Sequence, residues 1–235
     1  MQQVIKSIMV KNCQDGQHYQ CDIVTLGAKD WQKVADLQQE VVAQMAEPEL
    51  FFPLTVEEIH EALSDNGIVL GAVVNETLIG FSTILFPNLE KDNLGMDLGL
   101  SEDAAGKVGY LEASNVRPEF NGNSLQKTLR SCIFEIAAQR EHWEHVVSTV
   151  SPKNYASMIG SFSFGLVIIK LQRKYRNYWR YTFYQNRVTP LEVDRSNAQS
   201  VLCSDIERQV ELLQQGYYGY EFLKEQRCIV FAKGK

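Results

Sequence analysis

The run "SNVRPEFNGNSLQKTLRSCIFEIA", Ser114–Ala137, decides how this chain is read. Its first residues continue an alternating segment in which Tyr110, Glu112, Ser114 and Val116 share one face, the signature of a strand. Its last residues place Leu125, Leu129, Cys132, Ile133 and Ile136 on one face of a helix. Between them lie Pro118 and the polar turn Asn121-Gly122-Asn123-Ser124. A helix that starts at such a turn aims its first, unbonded N–H groups into the turn, where they suit an anion, phosphate above all. The glycine lets backbone come close to a ligand. Taken alone, the same run also reads as an ordinary strand-to-helix connection.

The flanking sequence sets this unit in a mixed α/β chain. Upstream, "VIKSIMVKNC" and "YQCDIVTL" read as a hairpin around "QDGQ", followed by a helix with Trp31, Val34, Ala35, Val41, Val42 and Met45 at helical spacing. Thr55 and Glu58 form a capping box for a short second helix that stops at Gly67. "IVLGAVV" and "TLIGFSTILF" read as a hairpin turning at "NE". Downstream come the strand "HVVSTV", a short helix "NYASMIGSFSFG", and a hairpin from "LVIIKLQRKY" and "NYWRYTFYQ". After Pro190 a polar stretch "EVDRSNAQS" leads to a helix capped by Ser204 and Glu207, then to closing strands. The expected organisation is a domain over residues 1–190 and a helix–strand extension over 191–235 packed on it. The fold class is α/β (α+β), a mostly antiparallel sheet flanked by helices.

The bulk composition narrows the functions. The 235 residues carry a net charge of -6, which argues against a general nucleic-acid surface. The basic run Lys170–Arg180 reads as a solvated strand pair. No apolar run is long enough for a membrane span, and the first residues lack the apolar core of a signal peptide, so the expectation is a soluble cytoplasmic chain. Five dispersed cysteines without a C-x-x-C pair read as reduced thiols. His142 and His145 have a metal-like spacing but no neighbouring Cys or His cluster. They read as solvent-facing, and no metal is expected.

The element order and three local matches resemble the GCN5-related N-acetyltransferase (GNAT) superfamily over residues 18–186. In that family a strand leads through V-x-P-x-[YF]-[RQ]-G-x-G into a helix, and the turn's amides hold the pyrophosphate of acetyl-coenzyme A. Val116, Pro118, Phe120 and Gly122 match, whereas Asn121 replaces the usual Arg or Gln and Ser124 the second Gly. Further on, Asn154, Ser157 and Gly165 keep the family's N-x-x-[AS]…G spacing, with Ser161 where a tyrosine usually protonates the departing thiolate. Glu112 stands mid-strand before the phosphate turn, where such enzymes keep a general base; it also reads as a glutamate paired with a basic neighbour at a sheet surface.

The resemblance implies acetyl-CoA or another acyl-CoA as cosubstrate, bound by Val116, Asn121, Gly122, Asn123, Ser124, Leu125, Gln126, Asn154 and Ser157. It implies Glu112 as base, Ser161 at the acid position, and acetyl transfer to the amine of a small molecule in a ternary complex. The competing reading is a weak or inactive GNAT-fold module that binds acyl-CoA or a protein partner as a regulator or scaffold. The tyrosine-rich "GYYGYEF" (Gly216–Phe222) suits an acceptor pocket, a homodimer contact or an edge strand.

Overall fold

A computed structural model of the chain describes residues 3–45, 47, 50–86, 95, 98–140 and 143–235. In chain order the elements are β1 (Val4–Lys11), β2 (His18–Thr25), α1 (Trp31–Ala43), α2 (Val56–Ala62), β3 (Gly67–Val74), β4 (Thr77–Leu85) and α3 (Glu102–Ala105). They continue with β5 (Val108–Val116), α4 (Leu125–Ala137), β6 (His145–Val150), α5 (Tyr155–Ser163), β7 (Val167–Lys174) and β8 (Tyr178–Asn186). The chain closes with β9 (Val193–Leu202), α6 (Ile206–Gln214), β10 (Tyr217–Leu223) and β11 (Cys228–Gly234). They fall into two compact units: residues 1–46, 53–88 and 109–143 in one, and 47–52, 89–108 and 144–235 in the other.

The first unit is the antiparallel series β1-β2-β3-β4-β5. β4 is buried at every position after Thr77, so both its faces are covered. The cover comes from α4, which packs on β3 and β4, and from α1 and α2. The capping box of α2 forms as the sequence predicts: Thr55 N donates to Glu58 Oε2 at 2.7 Å and Glu58 N to Thr55 Oγ1 at 3.2 Å. Gln38 of α1 locks the entry to that helix, donating to Leu54 O and accepting from Leu54 N, each at 2.9 Å. The β3–β4 hairpin turns at Asn75 and Glu76, both at positive φ as a tight hairpin requires.

The pairing of β4 with β5 carries the unit's main irregularity. Ser82 faces Ser114 and Ile84 faces Leu111, so two steps on β4 meet three on β5. The extra residue is a β-bulge at Glu112–Ala113, and a bulge re-aims the side chains it contains.

The second unit is the antiparallel series β6-β8-β7-β10-β11-β9. The C-terminal elements are part of its core: Leu212, Ile229 and Phe231 are fully buried. Tyr181 Oη donates to Gln209 Oε1 at 2.6 Å, and Gln209 Nε2 donates to Leu202 O at 2.9 Å and Cys203 O at 3.2 Å. That buried relay ties β8, α6 and the end of β9 together.

Two expectations need correction. "EVDRSNAQS" is not a polar connection but most of β9, an edge strand whose exposed residues give no apolar alternation. The cap of α6 is Asp205, which accepts from Arg208 N at 3.1 Å, one residue beyond the predicted Ser204.

Candidate functional site

The turn after β5 is built to leave donors open. Phe120 N bonds Arg117 O and Asn121 N bonds Pro118 O, which closes a 3-10 turn over Pro118–Phe120. Gly122 then takes φ +84 and Ser124 φ +57 before α4 starts at Leu125. From Gly122 to Lys127 no backbone N–H meets an acceptor among the described residues; the next amide, Thr128 N, donates to Ser124 O. Ser124 gives the helix no side-chain cap. Six consecutive open amides run through two left-handed residues onto the N-terminus of a 13-residue helix, an arrangement of donors whose chemistry, with the helix dipole, suits an anion. An added Cβ at Gly122 would meet no atom within 4 Å, so glycine is needed there for its φ and not for room.

Several side chains around this amide nest are held by the chain itself. Asn123 donates to Lys11 O at 2.7 Å and Phe120 O at 2.9 Å and accepts from Lys11 N at 2.8 Å. Gln126 Nε2 reaches Ser114 O at 3.2 Å, tying the first turn of α4 back to β5. Leu125 and Val116 are buried and anchor the two ends of the turn. Arg117 is held by Glu40 at 2.9 Å and Glu119 at 3.9 Å, so it does not stand in for the cation absent at Asn121.

Glu112 is the exposed residue of β5. Desolvation by neighbouring protein, with a smaller push from the negative charge of Glu58, raises its carboxyl to about 7. A carboxyl poised there takes a proton readily near neutral pH. Among the described residues no basic side chain forms an ion pair with it; the charge that acts on it is the carboxylate of Glu58, contrary to the surface ion-pair reading.

Helix α5 of the second unit is self-contained. Asn154 caps it, accepting from Ser157 N at 3.1 Å, and its amide donates to Leu50 O at 3.3 Å. Ser161 is fully buried and its hydroxyl donates to Ser157 O at 3.0 Å, the back-bonded pose of a helix-packing serine. Gly165 follows at φ +78.

No family model matches this sequence, and no curated protein does. Solved structures do. Arabidopsis thaliana NAA60 in complex with acetyl-CoA superposes with a TM-score of 0.58 at 12% identity, over 72% of this chain and 99% of that one. A GNAT-family acetyltransferase from Streptococcus pneumoniae gives 0.54 at 19% identity, over 71% and 98%. The ribosomal-protein-S18-alanine N-acetyltransferase from Escherichia coli gives 0.52 at 14% identity, over 75% and 97%. The chain has the GNAT fold.

Within that fold, Val116 and residues 121–126 come together in one turn directly after the strand that carries Glu112. Asn154, Ser157 and Ser161 lie on α5 of the other unit. Sequence reasoning missed Glu58 as the charge acting on Glu112, although its capping-box role was visible. It also missed Lys11, whose link to Asn123 spans 112 residues and leaves no local signal. Among the described residues no group of three or more His, Cys, Asp or Glu is placed to hold a metal ion. His142 lies outside the described residues, while His145 is buried and hydrogen-bonded to Tyr184 Oη at 2.9 Å, not solvent-facing as expected.

Proposed function

We propose that this chain is an acetyl-CoA-dependent N-acetyltransferase that moves the acetyl group to the amine of a small molecule by direct transfer. The observation that carries the reading is the run of six open amides from Gly122 to Lys127 on the N-terminus of α4. These donors belong to the backbone, so Asn121 and Ser124 can depart from the family pattern without removing them. Bound acetyl-CoA supplies the acyl thioester. Glu112 supports the chemistry as base: its carboxylate takes the proton from the acceptor's ammonium, freeing the lone pair that attacks the thioester carbonyl. Bond formation from nitrogen to the acyl carbon is matched by cleavage of carbon–sulfur, the electron pair leaving on sulfur and the nitrogen's surplus proton passing to the departing thiolate to give the free thiol. Ser161 is not placed in this scheme, because its hydroxyl is buried and already donated within α5.

The lack of a free hydroxyl at position 161 favours a second reading, an acyl-CoA-binding module without turnover. Thiol release from acetyl-CoA measured against a panel of small amines separates the two. Acceptor-dependent release supports the enzyme. Binding of acetyl-CoA with no release on any amine supports the module.

A further inference from the structure

We propose that the N-terminal hairpin β1–β2 is a clamp that sets the amide nest before any ligand arrives, and that Asn123 is the positioning residue through which it acts. The inference rests on the reading of the nest as a coenzyme A site. Asn123 exchanges two hydrogen bonds with the peptide of Lys11, Lys11 N to Oδ1 at 2.8 Å and Nδ2 to Lys11 O at 2.7 Å. The side-chain amide thereby imitates one rung of an antiparallel ladder at the end of β1. The same Nδ2 donates to Phe120 O at 2.9 Å, so both halves of the turn are bound to one group.

Two further contacts repeat the attachment. Cys13 N donates to Glu119 O at 2.7 Å, and the Tyr19 ring meets Phe120 edge-on, with centroids 6.5 Å apart. The hairpin thus grips the turn from Glu119 to Asn123, while β1 itself buries only Val10.

The turn needs such a grip. Ser124 is a non-glycine residue held left-handed at φ +57, a conformation it leaves when unsupported. If it relaxes, the six amides no longer converge, and apparent affinity falls with the fraction of time the nest is set. The Asn123 side chain therefore serves the site without touching a phosphate, since its two N–H donors and its acceptor oxygen are already used within the chain.

The test uses the full chain and acetyl-CoA titration with Asn123→Ala, Lys11→Pro and Lys11→Ala. Lys11→Pro deletes the N–H that Asn123 accepts, whereas Lys11→Ala deletes the charge and keeps it. Asn123→Ala and Lys11→Pro are each expected to weaken binding by about ten- to a hundredfold, and the double variant by no more than the worse single one. Lys11→Ala is expected to stay close to the native affinity. Equal losses in Lys11→Ala and Lys11→Pro, additive losses in the double variant, or native affinity in Asn123→Ala would each overturn the clamp. Backbone order parameters of Gly122 and Ser124 in the ligand-free chain give a readout independent of coenzyme A. A fall in Asn123→Ala supports the clamp, and no change overturns it. Should the native chain bind no acetyl-CoA while that fall is seen, the functional reading fails and the clamp on the turn stands.

Discussion

Glu112 links the chemistry to a measurable titration. Its carboxyl is raised to about 7 by desolvation and by Glu58, so the rate of a base-dependent transfer should climb with pH and level off above about 7. Glu112→Gln should remove that rise and lower kcat/KM by about 100-fold or more on any identified acceptor. The same shift has a stability consequence of fixed sign. A carboxyl whose folded-state value is raised contributes stability that is fully present below its unfolded value and lost as pH rises through about 7. Glu112→Gln should therefore raise Tm relative to native at pH 8 and not at pH 4, checked by thermal melts. That Glu112 lies within a strand was legible in the sequence. Its face was not: alternation puts Tyr110, Glu112, Ser114 and Val116 together, but the bulge breaks it, since Tyr110 pairs with Leu85 and Ser114 with Ser82, three positions apart on β4 and so on opposite faces. Nor was its carboxylate neighbour, because the approach of α2 is a tertiary fact. Asn123 shows the same limit: the sequence placed it in the turn, and the hydrogen bonds of its side chain to the peptide of Lys11 left no local signal.

Helices and turns with local signals were the elements most readable in the sequence. The Thr55–Glu58 box, the Asn75–Glu76 hairpin and the Gly165 stop are set by neighbours within four residues. β9 was missed because an exposed edge strand has no apolar period to betray it. The cap at Asn154 makes a testable element: Asn154→Ala removes the acceptor for Ser157 N and the donor to Leu50 O. It should cost about 1 to 2 kcal/mol in a denaturant titration with an unchanged m-value. The β7–β8 turn holds three consecutive non-glycine residues at positive φ, Tyr175, Arg176 and Asn177. Phe52 stacked on Tyr175 at 4.6 Å and Arg173 Nη1 donating to Asn177 O at 2.7 Å support it. Arg176→Gly should relieve part of the strain and raise stability by up to about 1 kcal/mol in the same titration.

At the level of the whole molecule, the extension is built into the second unit through Tyr181–Gln209 and the buried side chains of β11. A chain ended after Pro190 would leave β7 without β10 and expose Ile168 and Tyr181, both fully buried with the extension in place. Such a truncation should aggregate or unfold, as read by size-exclusion chromatography and circular dichroism. Fold class and most of the strand and helix order were legible because most elements carry their own period. The depth of that integration was not, since it depends on pairings such as Gly219 with Ile168 that no local pattern encodes. The central claim concerns the turn at Gly122, and calorimetric titration of the native chain and Gly122→Val with acetyl-CoA tests it most directly. Valine is strained at φ +84, so it would pull the turn out of the conformation that presents the amides. Micromolar binding by the native chain, weakened at least about a hundredfold in Gly122→Val, is the predicted result. No binding by the native chain, or equal binding by both, would contradict it.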